Sequence, residues 1–465
     1  MQIVPLSLGL KSAPARLGHM GACRLINMYA EEAGPEAKYP WVLYGADGFD
    51  LFSTLTDGGA IRGIYAVSDN EALVVSGRLI FRVDSTGTAT VVGGIPSDGL
   101  VTIDRNRVRP PQVAIVCDGL YFVYQGGTLT QITDADLPAA TSVTSLNGYF
   151  VFQHADGRIT ASDLDDDEVT ALSFATASAN PDGGVRVWTR GQDLISFGQR
   201  STEFWGDVGG DPFPFQRTTS IDVGLLAARS VANVDQTCAF VAHDGTVRLL
   251  NGYQAVKISS AEVERLIAAE SSADNISACG WTYRGHTFYS LSGSTWTRVY
   301  DASTGLWHER SSYALPRWRV DQAVQFGRQI IFGDYATNKL YKLNPATYTE
   351  AGSHMIATAQ LPPTHAEPYR VSHHALFVDV APGVGLVSAD ASLANPSIMM
   401  DYSDNGGATW STQRTGALGA AADYLRRVRF NRLGMARSRT YRLSISAAVP
   451  RAIGGVYLGQ ERGAA

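Results

Sequence analysis

Cysteine is scarce in this sequence: Cys23, Cys117, Cys238 and Cys279 stand far apart in 465 positions, with no C-x-x-C pair. That spacing excludes a dense disulfide framework and the common zinc-ligand patterns, and it predicts reduced cysteines in the core. Charge is sparse as well. Charged residues make up 18% and hydrophobic ones 45%, too apolar for a disordered chain and too evenly interrupted for a membrane protein. The long uncharged stretch 137–155 is full of Ser, Thr, Asn and Gln, so no bilayer span is expected. The first 18 residues lack a basic leader before a short apolar run that Pro5 interrupts, and no secretion signal is expected. A formal charge of −6, from 38 basic and 44 acidic residues, rules out a globally basic nucleic-acid binder, so any DNA contact must be local. Catalytic signatures are missing too. The sequence holds no G-x-S-x-G elbow, H-E-x-x-H pair, phosphate loop or dinucleotide fingerprint, so no catalytic residue, cofactor or metal ligand is expected.

Turn signals are abundant. Glycine occurs 47 times, with Asp-Gly at 47, 57, 98, 118, 156, 182 and 244 and Asn-Gly at 147, 251 and 405; such dipeptides tolerate the positive φ of tight hairpins. Short Val/Ile/Phe/Tyr-rich runs face each other across turns, as Leu73–Val75 with Leu79–Val83 and Val113–Val116 with Leu120–Tyr124. Such hairpins begin near residues 73, 113, 148, 194, 238, 286 and 329, a spacing of 35 to 48 residues, the period of a four-stranded propeller blade. The expected fold class is therefore all-β: a β-propeller of six or seven blades with a C-terminal β-sandwich-like unit. Two consecutive β-sandwiches are the chief alternative, and the regular spacing favours the propeller.

The predicted organisation is an N-terminal arm with first strands over 1–54, the propeller over 55–350, a linker over 351–368 and the C-terminal β domain over 369–465. The linker is placed by Pro362, Pro363 and Pro368 and by the lack of a strand pattern. One short helix is expected after the capping box Ser259-Ser260-Ala261-Glu262, with Val263, Leu266 and Ile267 on one face.

Several motifs invite a functional reading. Ser403, Asn405, Gly407, Thr409 and Trp410 fit the S-x-D-x-G-x-T-W turn of sialidase-type Asp boxes, with Asn405 at the Asp position. The expected role is structural, the tryptophan packing beneath a closed hairpin. A glycosidase would need paired carboxylates and a cleft, which nothing in the sequence singles out. The acidic run Asp163–Glu168 lacks an EF-hand spacing and reads as a solvated turn. His354, His365, His373 and His374 fall within 21 residues but match no metal motif. The sharpest asymmetry lies between Tyr424 and Gln460, where Arg426, Arg427, Arg429, Arg432, Arg437, Arg439, Arg442 and Arg451 occur without one Asp or Glu. The first seven are candidate interface residues. A protein interface, or long side chains covering an apolar sheet and pairing with carboxylates from elsewhere, is favoured over a DNA surface because aromatics are not interleaved.

Leu25-Ile26-Asn27-Met28-Tyr29, Gly198-Gln199-Arg200-Ser201-Thr202-Glu203-Phe204-Trp205, Tyr300-Asp301-Ala302-Ser303-Thr304-Gly305-Leu306-Trp307 and the closing Arg-rich unit together resemble the packaged DNA stabilization protein family. These are tail hub or nozzle proteins of short-tailed bacteriophages, and the resemblance runs over nearly the whole length. It implies a structural virion protein, made in the host cytoplasm and built into the phage tail without membrane insertion. It further implies a homo-oligomeric ring, a hexamer, below the portal and its adaptor. Such a ring retains packaged DNA, conducts double-stranded DNA of any sequence during ejection, and carries tail fibres or spikes and a plug or needle. No catalytic residue or cofactor is carried over. The rival reading is a carbohydrate-binding or glycan-hydrolysing propeller.

Overall fold

The computed structural model describes residues 2–17, 21–176 and 182–463; the extreme ends of the expected N-terminal arm and C-terminal domain lie outside them. The described residues are mostly strands and turns, with short α-helices at Ala261–Ala268 and Ala391–Ala394. They form two units, each discontinuous in sequence: 51–294 with 319–342, and 1–50 with 295–318 and 343–465.

The larger unit is a β-propeller. Its blades are antiparallel four-stranded sheets, of which the first is Ile61–Ser68, Glu71–Ser76, Leu79–Asp84 and Ala89–Gly94. Four more follow in order at 101–132, 140–176, 184–221 and 232–257. A sixth, Val320–Phe326, Gln329–Asp334 and Lys339–Asn344, takes its outer strand Gly48–Thr54 from before the first blade. The paired strands Ser277–Tyr283 and His286–Ser292 bring a seventh inner strand to the axis, where all seven line one channel.

Hairpin chemistry explains the repeat. Asp118-Gly119 and Asn147-Gly148 have positive φ at both turn residues (47° and 79°, 54° and 101°), the geometry that continues the right-handed strand twist into a two-residue turn. The expected pairings follow, Leu73 opposite Arg82 and Val113 opposite Tyr124. Burial is graded across each blade. Second strands such as Val113–Cys117 are buried at every position, whereas outer strands such as Thr128–Ile132 are mostly exposed. A strand with sheets stacked on both faces has no water-facing side, so it reads as an unbroken apolar run.

The cores lie between blades. Leu73, Val75, Ile115 and Phe122 join the first blade to the second, and Val116, Tyr121, Phe150 and Phe152 join the second to the third. Ile61, Val74, Phe326 and Ile331 close the circle between last and first. The closure has a polar clasp: Leu55 N–H donates to the Asn338 carbonyl at 2.9 Å, and Asn338 Nδ2 donates to the Leu55 carbonyl at 2.6 Å.

The smaller unit is a two-sheet sandwich. One sheet runs Val428–Asn431, Val371–Val380, Ala452–Arg462, Trp41–Gly45 and Met28–Glu32, with Gln2–Leu6 also on Ala452–Arg462. The other includes Ala22–Ile26, Ala357–Gln360, Ser438–Ile445, Ser397–Ser403 and Arg414–Ala417 in that order. Leu25, Leu43, Leu376, Met400, Leu443 and Leu458 fill the space between. N-terminal strands are thus interleaved with those after residue 369. The segment 351–368, expected to hold no strand, contains Ala357–Gln360, buried at every position and paired on both sides. Its sequence, ATAQ, is too short and small-sided to signal a strand before its neighbours are known.

Phe152 is fully buried, its ring edge-on to Tyr121 at 5.0 Å. Phe152→Ala should cost about 3–5 kcal/mol through the cavity it leaves, measurable as a lower urea midpoint at unchanged slope. A loss below about 1 kcal/mol would mean that the interblade core is not what holds the ring.

Candidate interaction surface

Residues 397–445 build the candidate site on the sandwich. Strand Ser397–Ser403 pairs with Ser438–Ile445, placing Asp401 opposite Arg442 and Ser403 opposite Thr440. The Asp-box-like turn leaves the end of the first strand. Ser403 Oγ donates to Asn405 Oδ1 at 2.8 Å and accepts from Gly407 N–H at 2.8 Å. Asn405 Oδ1 accepts from Thr409 N–H at 2.9 Å, and Asn405 Nδ2 donates to Thr409 Oγ1 at 2.8 Å. Gly406 and Gly407 sit at φ 71° and 94°, where a Cβ is strained. Asn405 therefore closes the turn with its own amide, using a donor that an ionised Asp lacks.

Trp410 departs from the expected packing. It is only half-buried, and its ring lies 3.9 Å from the Arg442 guanidinium. Arg442 in turn grips Asp401, Nε to Oδ1 at 2.9 Å with Nη2 on the other oxygen. Tryptophan thus caps an ion pair, a contact that an amphipathic ring makes better than a deep apolar pocket would.

The seven candidate arginines separate into two groups. Arg439 is 2% exposed and holds Asp404 through two bonds at 2.6 and 2.7 Å, under the Tyr402 ring at 3.9 Å. Arg439, buried, and Arg442, partly exposed, are thereby paired with carboxylates of their own unit, so two of the seven candidate interface residues already have partners there. Arg451, buried, donates to the Ala447 and Tyr348 carbonyls. Sequence reading missed Asp401 and Asp404 because they lie about 35 to 41 residues upstream, and only the strand pairing brings them opposite.

Arg426, Arg427, Arg429, Arg432 and Arg437 are exposed. Strand Val428–Asn431 lies at a sheet edge, alternates buried and exposed positions, and sets Arg429 over Phe377 at 5.0 Å. Charge on an edge discourages unwanted strand addition. Beside it, Tyr424 and Leu425 are 69% and 95% exposed, so the surface mixes cations with apolar side chains, a composition suited to a protein partner.

The histidines do different things. His373 is buried with Nδ1 2.7 Å from Tyr441 Oη; burial pushes its imidazole down to about 4, and the Arg439 cation acts in the same direction. His374 lies 3.2 Å from Glu461, and His354 meets Tyr313 ring to ring. In the acidic run, Asp165 pairs with Arg107 at 3.1 Å and Asp167 accepts from Gln112 at 2.9 Å. Among the described residues no group of three His, Cys, Asp or Glu side chains is placed to hold a metal ion, and no helix is long and apolar enough to cross a membrane.

Two outcomes follow from these contacts. Asp404→Ala strands a buried guanidinium and should cost about 3 kcal/mol, whereas Trp410→Ala should cost only about 1 kcal/mol; equal losses by urea titration would contradict the assignment. The fold holds His373 neutral, its pKa below the unfolded value of about 6.5, so its contribution is full above pH 6.5 and is lost as pH falls toward 4. That contribution is about 3 kcal/mol. His373→Gln should lose less stability than the parent between pH 7 and pH 4.5, and parallel curves would refute it.

Residues 22–348 match the family model described as bacteriophage P22 Gp10, beta-propeller, and residues 359–460 match that described as bacteriophage P22 Gp10, beta-sandwich. No curated protein matches the sequence. Solved structures similar to the chain include the WD40 beta propeller domain of Doa1, with 13% identity, 64% of this chain and 97% of that one covered, and a TM-score of 0.43. BamB from Moraxella catarrhalis has 11% identity, 74% and 97% coverage, and a TM-score of 0.41. With a propeller and a sandwich each matched in chain order, the chain belongs to the bacteriophage P22 Gp10 family and is a structural protein of the phage tail.

Proposed function

We propose that the chain is a subunit of the tail nozzle: a ring below the portal adaptor that retains packaged DNA, conducts it during ejection and anchors fibres or spikes. The observation that carries this reading is the family match over both units, 22–348 and 359–460. A conduit at a symmetric vertex must close on itself, and closed rings use heterologous contacts between two different surfaces of the same chain. The exposed Arg426, Arg427 and Arg429 suit one surface; the exposed carboxylates of Asp163, Asp166 and Glu168 suit the other. Duplex DNA of any sequence then passes without base-specific contacts, since phosphate attraction alone carries no sequence information.

Reconstruction of the assembled particle tests the role directly. The expected result is a six-fold ring of this chain under the adaptor, and a monomer on a glycan or cell surface with no particle-bound ring would overturn it. Charge reversal tests the surface separately: Arg427→Glu with Arg429→Glu should weaken ring assembly at least tenfold, and Asp163→Arg with Asp166→Arg in the same chain should restore part of it. If the arginine variant assembles normally but loses salt-sensitive DNA binding, the patch contacts nucleic acid.

A further inference from the structure

We propose that the axial channel of the propeller is a binding site for a small oxyanion, a phosphate or a carboxylate, seated on Arg186. The channel has a volume of about 540 Å³ and is lined from all the inner strands, with Arg62, Arg186 and Arg229 among its side chains and Asp104 as its carboxylate.

These charges do not cancel. Arg229 is paired with Asp321 at 2.9 Å, and Ser277 hydroxyl donates to the other oxygen of that carboxylate. Asp104 accepts from Tyr65 Oη at 3.0 Å, Arg105 N–H at 2.8 Å, Thr144 Oγ1 at 3.0 Å and Ser145 N–H at 2.7 Å. Its oxygens are filled by these donors, and burial pushes its carboxyl up, toward the neutral form. Both amino groups of Arg62 are engaged, by the carbonyls of Gly77, Ser97 and Gly99 and by Cys117 Sγ, and only its buried Nε has no partner, so its cation is held in place without a carboxylate.

Arg186 is different. Its Nη1 donates to the Ala228 carbonyl at 2.6 Å and its guanidinium lies 4.9 Å from the Trp188 ring centroid. Its Nε is shielded from solvent with no hydrogen-bond partner. Burial, with Arg229 close by, pushes its pKa down to about 10, so the group remains a cation at neutral pH. A guanidinium with one amino group bonded to a carbonyl and the other without a hydrogen bond, in a cavity of net positive charge, is the arrangement that takes an anion oxygen. The volume exceeds that of inorganic phosphate and falls within the range of small-molecule sites, so a phosphomonoester or small dicarboxylate fits as well.

Calorimetric titration of the full chain with inorganic phosphate at fixed ionic strength and neutral pH is the test. One saturable site per chain is expected. Arg186→Gln should weaken it at least tenfold, and Arg186→Lys, which keeps the charge without the fork, should weaken it less but measurably. Acetate and a phosphomonoester run in parallel separate the two sources of oxyanion. Absence of saturable heat in the parent chain, together with an unbroadened phosphorus resonance, would overturn the proposal. Unchanged phosphate affinity in the Lys variant would also overturn it, whether or not the Gln variant folds.

Discussion

Ring closure of the propeller is the constraint on which the rest of the larger unit depends. A four-stranded blade has two apolar faces, and each is covered only when a neighbour stands on either side. The cluster of Ile61, Val74, Phe326 and Ile331 is the contact that turns a row of blades into a circle. It is made possible by Gly48–Thr54, which completes the last blade from the other end of the sequence. The cost is one long loop closure, and loop-closure entropy grows only with the logarithm of length. Once closed, the circle fixes seven inner strands around one axis, and the buried polar groups there, Asp104 among them, are held by neighbours that the ring supplies.

In the sandwich the governing interaction is electrostatic. Eight arginines in one carboxylate-free stretch would repel one another if left on a single face. Strand pairing resolves this by setting Asp401 opposite Arg442 and bringing Asp404 to Arg439. Two cations are thereby paired inside the unit, Arg439 buried and Arg442 partly exposed, with Tyr402 and Trp410 stacked on them. The remaining exposed arginines are the ones available to a partner. The division is set by what lies opposite: Arg439 and Arg442 stand on a strand whose neighbour and its turn bring carboxylates to them, whereas Arg426, Arg427, Arg432 and Arg437 lie outside the strands.

The sequence determined much of the architecture. Asp-Gly and Asn-Gly turns at a steady interval are local signals, each needing only the two residues that adopt positive φ, so the blades are legible along the chain. The turn formed by Ser403, Asn405, Gly407 and Thr409 is legible for the same reason, since its hydrogen bonds span four residues or fewer. Tertiary structure alone decided what depends on residues distant in sequence. Ala357–Gln360 is a strand because Ala22–Ile26 and Ser438–Ile445 flank it, and Arg439 is internal because Asp404 meets it. Arg186 lies unpaired in a channel only because blades from across the sequence wall it in. Backbone preference acts over a few residues and can be read in order, whereas burial and charge pairing are properties of whichever atoms the fold brings within a few ångströms, and a linear sequence does not contain that distance.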